Sequence, residues 1–270
     1  MSEPDLYLLG YRRAEQERLE RQAQELGAES AALFDRIGVR EGWRAVESGC
    51  GPQGCLGLLS ERVGASGRVI GIERNPEQAE TAGRFAASRP LRNVEVRCGD
   101  GRATGLPAGG FDLATARLVL VNVPEPQEIV AELVRLTRQG GVVALHEAVA
   151  STAQVDPPHP AQRRLIDLLG AYSELNGIDR DVGLRAPRLL RAAGVTDLEV
   201  TPLVHVYPPG HGRRYLMLDF AENARARLLE KGLVAEHEFR ELTSALRAHL
   251  DDPATLVVSS LFFQVWGRKL

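Results

Sequence analysis

The chain has 270 residues, of which 44% are apolar and 26% are charged, and its formal net charge at neutral pH is −3. This length and composition allow one large core or a core with a smaller cap, and mixed charges without a basic block argue against a nucleic acid or an anionic membrane as partner. The apolar runs are too short and interrupted to span a bilayer, and the acidic first residues lack the apolar stretch of a secretory signal, so we predict a cytoplasmic protein.

The first predicted element is a helix within residues 5–40. This stretch is rich in Arg, Glu, Gln, Leu and Ala, which are good helix formers. Leu19, Leu26, Leu33 and Phe34 give it only a narrow apolar stripe. Such a stripe favours a helix that packs on the outside of a domain.

From residue 43 onward, strands and helices alternate. Five apolar segments predict strands, and they read WRAVES, GRVIGIE, NVEVRCG, FDLATARLV and GGVVALHEAV. One of the helical segments between them has Asn75 as its N-cap and Pro76 at its first position. Parallel strands need crossover connections, so this alternation predicts a parallel sheet with helices on both faces.

The alternation breaks in residues 151–183, which carry a proline-rich loop and one predicted helix. A short helix and a sixth strand, LEVTPLVHVY, then resume it, and residues 211–250 predict two more helices. The closing segment TLVVSSLFFQVWGRKL predicts one long strand. The fold class is therefore α/β, with a doubly wound core and helical cap segments.

A glycine loop follows the first predicted strand. Gly49, Gly51 and Gly54 spell G-x-G-x-x-G, the pattern of a loop that approaches a nucleotide closely. Glu73 ends the second strand, where an acid can accept hydrogen bonds from ribose hydroxyls. In an open parallel sheet both features lie at the edge that binds ligands. Up to this point NAD and S-adenosylmethionine fit equally well.

Two acids separate these cofactors. Glu47 lies two residues before Gly49, where a carboxylate would repel a pyrophosphate but suits a sulfonium and an ammonium group. Asp100 follows the third strand, where it could accept from an adenine amino group. An NAD(P)-dependent oxidoreductase remains an alternative, although the sequence shows no Tyr-x-x-x-Lys or similar hydride-site signature. A non-catalytic binding protein of the same fold is the other alternative.

The ordered segments VESGCGPQG, VIGIE, VRCGDGRATGLP, FDLATARLVLVNVPEP and LTRQGGVVALHE resemble the class I, Rossmann-like, S-adenosylmethionine-dependent methyltransferases. Among these, the sequence is most similar to the menaquinone-biosynthesis-type group of small-molecule methyltransferases. The resemblance covers residues 43–148, and YLLGYRRAEQERLERQA at 7–23 resembles the lid of bacterial members. It implies a seven-stranded, mostly parallel sheet whose last strand is antiparallel and lies between strands five and six.

With this resemblance, the chain divides into six segments. They are an N-terminal helical lid (1–40), a cofactor-binding Rossmann-like core (41–150), a cap insertion (151–183), a continuation of the core (184–210), a helical cap (211–250) and the final antiparallel strand (251–270).

The resemblance also implies S-adenosylmethionine as cofactor and a set of cofactor-binding residues in the lid and at the strand ends. These are Tyr7, Arg18, Gln22, Glu47, Gly49, Gly51, Glu73, Arg74, Gly99, Asp100, Gly101, Ala116 and Arg117. The chain departs from the family at Gln53, where a third loop glycine is usual. The three cysteines lack metal-ligand spacing, and we predict reduced thiols and no metal site.

Methyl transfer is an in-line displacement that needs a base only if the nucleophile must lose a proton. His146, at the end of strand five, and Tyr7 are the predicted catalytic residues, while His205, His211, His237 and His249 are interpreted as structural. The acceptor is predicted to be a small aromatic or natural-product molecule, methylated on oxygen, nitrogen or carbon, and a homodimer is left open. Predicted acceptor contacts are Tyr11, His146, His159, Tyr172 and Tyr215.

Overall fold

The computed structural model describes residues 10, 13–89 and 91–270. Its strands are β1 (Arg44–Ser48), β2 (Arg68–Glu73), β3 (Val94–Cys98), β4 (Phe111–Arg117), β5 (Thr137–Val149), β6 (Gln154–Asp156), β7 (Val195–Leu203), β8 (Leu256–Val258) and β9 (Leu261–Lys269). Its helices are α1 (Arg13–Glu25), α2 (Gly27–Ile37), α3 (Leu56–Val63), α4 (Pro76–Ser88), α5 (Pro126–Leu136), α6 (Pro160–Leu175), α7 (Ala186–Ala192), α8 (Leu216–Glu230) and α9 (Glu236–Asp251). None of the helices in the described part of the chain has the length and apolar character needed to cross a membrane.

Seven strands form one sheet in the order β3-β2-β1-β4-β5-β9-β7. The first five of these are parallel to one another, and β9 runs antiparallel between β5 and β7. The predicted fold class and the insertion of the last strand are thereby confirmed. The strand order reverses between β1 and β4, and this point is where an open α/β sheet binds its ligand.

Both faces of the sheet are buried, because successive side chains of a strand point to opposite sides. In β1, Ala45 packs with α2, α3 and α4, whereas Val46 packs with α5 and α7. Leu113 and Ala114 of β4 divide between the two faces in the same way. The apolar runs that predicted strands are therefore central strands of a doubly wound sheet.

The cap is a separate apolar cluster rather than two independent additions. Helices α6, α8 and α9 bury Leu165, Leu228, Phe239 and Leu246 against one another, and the two-stranded sheet of β6 and β8 closes one side. The predicted cap segments 151–183 and 211–250 meet in this cluster.

Two strand boundaries differ from the prediction. The closing segment is not one strand but two, because β8 pairs with β6 in the cap while β9 joins the main sheet. The sixth predicted strand ends at Leu203, and Tyr207 donates its backbone N–H to Val257 in the cap instead. Both apolar runs have strand character throughout, so their sequences do not reveal that each serves two sheets.

The predicted N-terminal helix is two helices, with a turn at the buried Leu26. Helix α2 packs Phe34 and Ile37 against the core. Helix α1 instead contacts α8 of the cap, where Asn223 donates to Glu15 at 3.1 Å. Helix α1 is therefore held by the cap, and residues 19, 22 and 23 on one side of it line a cavity at the edge of the sheet.

Candidate cofactor-binding site

A cavity of about 370 Å³ lies at the carboxyl ends of β1, β2 and β4. Its walls come from the glycine loop, from the loops after β2, β3 and β4, and from one side of α1. Among the predicted cofactor residues, those that line it are Gln22, Glu47, Gly49, Gly51, Glu73, Arg74, Gly99, Asp100, Gly101 and Arg117. The fold thus brings together side chains from residue 22 to residue 117.

The glycine loop is pressed against the loop after β4. Gly49 has a φ of +66°, a left-handed conformation that favours glycine, and its N–H donates to the carbonyl of Ile72 at 2.8 Å. A Cβ at Gly49 would lie 2.5 Å from Cγ2 of Val119. The close packing of these two loops therefore requires glycine at this position.

Glu47 is buried, with 1% of its surface exposed, and both of its carboxylate oxygens accept from the backbone N–H of Cys55, at 2.8 and 3.0 Å. Burial raises the pKa of Glu47, while the charge of Arg117 opposes that rise. Cys55 directly precedes α3, so the acid occupies an N–H that a pyrophosphate would use at this helix N-terminus. This contact disfavours the oxidoreductase alternative.

Two further acids face the cavity from β2 and from the loop after β3. Glu73 accepts from the N–H of Gly51 at 2.8 Å and from that of Asn75 at 2.9 Å. Asp100 is held by Arg102, whose Nη2 lies 2.7 Å from Oδ2, and these hydrogen bonds lower the pKa of Asp100. The cavity therefore carries acids at several points along its length.

Several lining residues were not predicted. Arg102, Gln78 and Asn122 line the cavity, and so does Ser48, whose buried Oγ has no hydrogen-bond partner within the described ranges. A Cβ at Gly101 would lie 2.3 Å from that oxygen. A buried hydroxyl normally has a partner, so Ser48 fits a polar ligand atom. In the sequence, only the position of Ser48 at the end of β1, directly before the glycine loop, points to a role in the site.

Two predicted cofactor residues do not reach the cavity. Ala116 is fully buried in the core of the sheet. The guanidinium of Arg18 forms an ion pair with Glu15 at 2.6 Å and lies 5.2 Å from the ring centroid of Phe220. The resemblance to family lids predicted Arg18 as a cofactor contact. Its Nη1 does donate to Oε1 of the cavity-lining Gln22 at 2.8 Å, but Arg18 itself does not line the cavity. Tyr7 and Tyr11 fall outside the described residues.

The predicted acceptor residues of the cap are dispersed. His159 accepts from the N–H of Ala161 at 3.2 Å and so caps α6, and Tyr172 is buried in the apolar cluster of the cap. The hydroxyl of Tyr215 donates to Asp251 at 2.7 Å on the surface. None of the three lines the cavity. Their position in cap segments was visible in the sequence, but the direction of their side chains was not.

The end of β5 places His146 and Glu147 on opposite faces of the sheet. His146 is 2% exposed, packs edge-on against Phe262 at 5.7 Å between ring centroids, and does not line the cavity. Burial lowers the pKa of His146 to about 3. A neutral imidazole of such low basicity does not fit the predicted role of general base.

Glu147 is completely buried on the other face. Its carboxylate accepts from the N–H groups of Val119 at 3.0 Å, Leu120 at 2.9 Å and Val121 at 3.2 Å. Burial raises the pKa of Glu147 to about 8. Glu147 thus fixes the loop after β4, which forms one wall of the cavity.

Comparison with known proteins agrees with this geometry. A family model described as a methyltransferase domain matches residues 46–145. Nocamycin O-methyltransferase of Saccharothrix syringae is 35% identical over 126 residues, 47% of this chain and 43% of that protein. Aklanonic acid methyltransferase of Streptomyces sp. (strain C5) is 30% identical over 148 residues, 48% of this chain and 67% of that protein. The chain spans about half the length of the first curated relatives that it matches.

The fold is also similar to solved structures. The geranyl diphosphate C-methyltransferase of Streptomyces coelicolor A3(2) superposes with a TM-score of 0.56 at 16% sequence identity, over 97% of this chain and 87% of that one. At this identity the likeness concerns the fold alone.

Proposed function

Because the chain belongs to the S-adenosylmethionine-dependent methyltransferases, we propose that it methylates a small aromatic or natural-product acceptor. The observation that carries the proposal is the hydrogen bond that the N–H of Cys55 donates to Glu47, in a cavity with further acids at Glu73 and Asp100. Acids in these positions suit a cationic cofactor without phosphate. Two relatives are named for methylation of nocamycin and of aklanonic acid, which supports an acceptor of that kind.

The residues present fit the cofactor. The carboxylate of Glu73 would accept from the ribose hydroxyls, that of Asp100 from the adenine amino group, and Glu47 and Ser48 would face the methionine part. When bound, the cofactor supplies a methyl group on a sulfonium sulfur, which is a good leaving group. The chain contributes position and exclusion of water, since holding a nucleophile in line supplies much of the rate.

Binding measurements distinguish the proposal from its alternatives. In isothermal titration we expect adenosylhomocysteine to bind in the micromolar range and NAD not to bind. Mass spectrometry of products from a screen of aromatic acceptors with S-adenosylmethionine then tests transfer itself. Binding without any methylated product would favour the non-catalytic alternative, whereas binding of NAD alone would overturn the proposal.

The partner class forms part of the same proposal. We expect a small-molecule acceptor and no nucleic acid, in accordance with a net charge of −3. A homodimer and a cytoplasmic location stay predictions, and light scattering of the purified protein tests the first of them.

Replacing Glu73 by alanine should weaken binding of adenosylhomocysteine about 10- to 150-fold, which corresponds to ~1.5–3 kcal/mol for hydrogen bonds to a charged group. The variant also frees the N–H groups of Gly51 and Asn75. Glu95→Ala is the matched control, because Glu95 lies on the neighbouring strand β3 and pairs with Arg68 and Arg97 at the surface. Unchanged affinity in Glu73→Ala would show that the ribose lies elsewhere.

Binding of adenosylhomocysteine should protect the lid from hydrogen exchange. Leu19, Gln22 and Ala23 of α1 line the cavity, so a ligand there adds contacts that are lost when α1 opens. Amide exchange over residues 1–30 should slow on binding, while peptides from α9 keep their rates. Equal exchange of α1 with and without the ligand would contradict a lid role.

A further inference from the structure

A second buried polar cluster lies beside the cofactor cavity, and we call His146, His205 and Glu29 the histidine cluster. The rings of His146 and His205 both pack on Phe262, with centroids 5.7 and 6.0 Å away. Nε2 of His205 lies 3.6 Å from Oε1 of Glu29. The cluster joins the end of β5, helix α2 and the connection that follows β7.

Four buried polar atoms of this cluster lack a hydrogen-bond partner among the described residues. Both ring nitrogens of His146, Nε2 of His205 and Oε2 of Glu29 are buried and make no hydrogen bond to any residue that the structure describes. Each such buried atom costs about 1–3 kcal/mol if it stays unpaired. The nearby side chain of Gln264, in contrast, has hydrogen-bond partners at both ends of its amide: its oxygen accepts from Arg36, and its nitrogen donates to the carbonyl of Glu29. Unsatisfied groups in a cluster whose neighbour is satisfied indicate a place for a polar ligand.

The position of the cluster relates it to methyl transfer. Arg117 lies opposite His146 in the β4–β5 register and also lines the cofactor cavity. At the other end, the side chains of His205 and Glu29 are 25% and 19% exposed. The cluster therefore lies between solvent and Arg117, which forms part of the cavity wall where an acceptor would have to meet the cofactor.

We propose that the histidine cluster binds the acceptor through an acidic hydroxyl, a phenol or an enol, and that His205, whose protonated form is stabilised by Glu29, is the base that removes its proton. This inference rests on the proposed methyltransferase function. It moves the base from His146, which the sequence favoured, to a histidine that the sequence left as structural. His146 serves as a neutral hydrogen-bond partner of the same hydroxyl oxygen, because its low pKa keeps the ring uncharged.

The hydroxyl proton passes to Nε2 of His205, and the charge of Glu29 stabilises the resulting imidazolium. The oxygen lone pair forms a bond to the methyl carbon while the carbon–sulfur bond breaks with its electrons going to sulfur. The products are a methyl ether, a neutral thioether and a protonated His205, which returns its proton to water.

The surrounding charges favour the oxyanion. Burial is the main cause of the low pKa of His146, and the positive charges of Arg117 and Arg213 lower it further. Arg213 is paired with Glu25, whereas Arg117 donates to the neutral hydroxyl of Ser30 at 2.9 Å. The guanidinium of Arg117 also interacts with the charge of Glu47. A guanidinium beside the acceptor oxygen stabilises a phenolate or an enolate.

The test uses phenols and enolised 1,3-diketones of graded acidity, with the variants His205→Gln and Glu29→Gln and the surface control His237→Gln. For weakly acidic acceptors we expect His205→Gln to lower kcat about 10²- to 10⁴-fold, the share of a general base. For acceptors already ionised at the assay pH, such as 4-nitrophenol, His205→Gln should lower kcat less than about threefold, because no proton has to be removed. In Glu29→Gln the loss of kcat should also be larger for less acidic acceptors, but smaller than in His205→Gln. The control His237→Gln should have the kcat of the wild type.

A second readout needs no turnover. Chromogenic phenols such as 4-nitrophenol and alizarin, added with adenosylhomocysteine, should show the absorbance of the ionised form on binding to the wild type, and less of it with His205→Gln. A loss of kcat that is equal for all acceptors, or no loss, would overturn the role of His205. If the protein binds adenosylhomocysteine but neither binds nor methylates any hydroxyl compound, the acceptor assignment is wrong. Absence of adenosylhomocysteine binding in the wild type would instead overturn the proposed function itself.

Discussion

Replacement of Glu147 by alanine is expected to lower the free energy of unfolding by about 3 kcal/mol or more, at ~1–3 kcal/mol for each buried donor left without an acceptor. Three backbone N–H groups, those of Val119, Leu120 and Val121, lose their acceptor together. Because Val119 packs on the glycine loop, the variant should also bind adenosylhomocysteine more weakly. Urea denaturation and titration of the same preparation measure the two effects.

The control is Glu61→Ala, which removes an exposed glutamate from α3 and should change stability by less than about 0.5 kcal/mol. A loss in Glu147→Ala no larger than in this control would mean that water replaces the carboxylate. The loop after β4 would then be held by its apolar contacts alone.

The stability of the protein should also depend on pH through Glu147. The pKa of Glu147 is about 8 in the folded protein, against an ordinary value of 4.5, so the folded state binds the proton more tightly than the unfolded state. The contribution of protonated Glu147 to the free energy of unfolding is therefore complete below about pH 4.5. It is lost as the pH rises toward 8, at about 1.4 kcal/mol for each pH unit between these values. Denaturation at pH 5, 7 and 9 should show the wild type losing stability relative to Glu147→Gln. A difference that does not change with pH would show that Glu147 keeps its ordinary pKa.

The sequence predicts the core because periodicity and spacing are local properties. Alternating strands and helices led to the sheet, and the acids Glu47, Glu73 and Asp100 were placed at strand ends that do meet in one cavity. Glu47 and Glu73 project from strands, and Asp100 lies two residues after one, so the sheet fixes their direction. Residues in longer loops and in the cap lack that constraint.

The less predictable part of the site depends on long-range packing. Arg18 turns to Phe220, which is 202 positions away in the chain, and Glu29 meets His205 only because α2 lies beside the connection after β7. His146 has the position expected of a catalytic residue, but the sequence does not show that both of its ring nitrogens are buried. Burial sets the basicity of an imidazole, and burial is a property of the folded chain.

The other large effect is expected at Glu47. Glu47→Gln removes the charge but keeps an oxygen for the N–H of Cys55, and should weaken S-adenosylmethionine binding about 10- to 150-fold. Glu47→Ala also leaves that N–H without its acceptor, which brings the total loss to about 100-fold or more. Glu17→Gln is the matched control, since Glu17 lies on α1 and pairs with Arg13 at the surface. Isothermal titration with S-adenosylmethionine and adenosylhomocysteine gives the affinities.

The proton balance of binding tests whether the charge of Glu47 matters in itself. Burial raises the pKa of Glu47 in the free protein, and a cationic ligand favours its ionised form, so binding below that pKa releases a proton. Affinity for the sulfonium cofactor should therefore rise with pH, and the observed heat should differ between buffers of different ionisation enthalpy. In Glu47→Gln both effects should disappear. If affinity, buffer dependence and pH dependence are all unchanged in that variant, Glu47 only fixes the glycine loop against α3. Selectivity for a cofactor without phosphate would then come from the shape of the loop rather than from its charge.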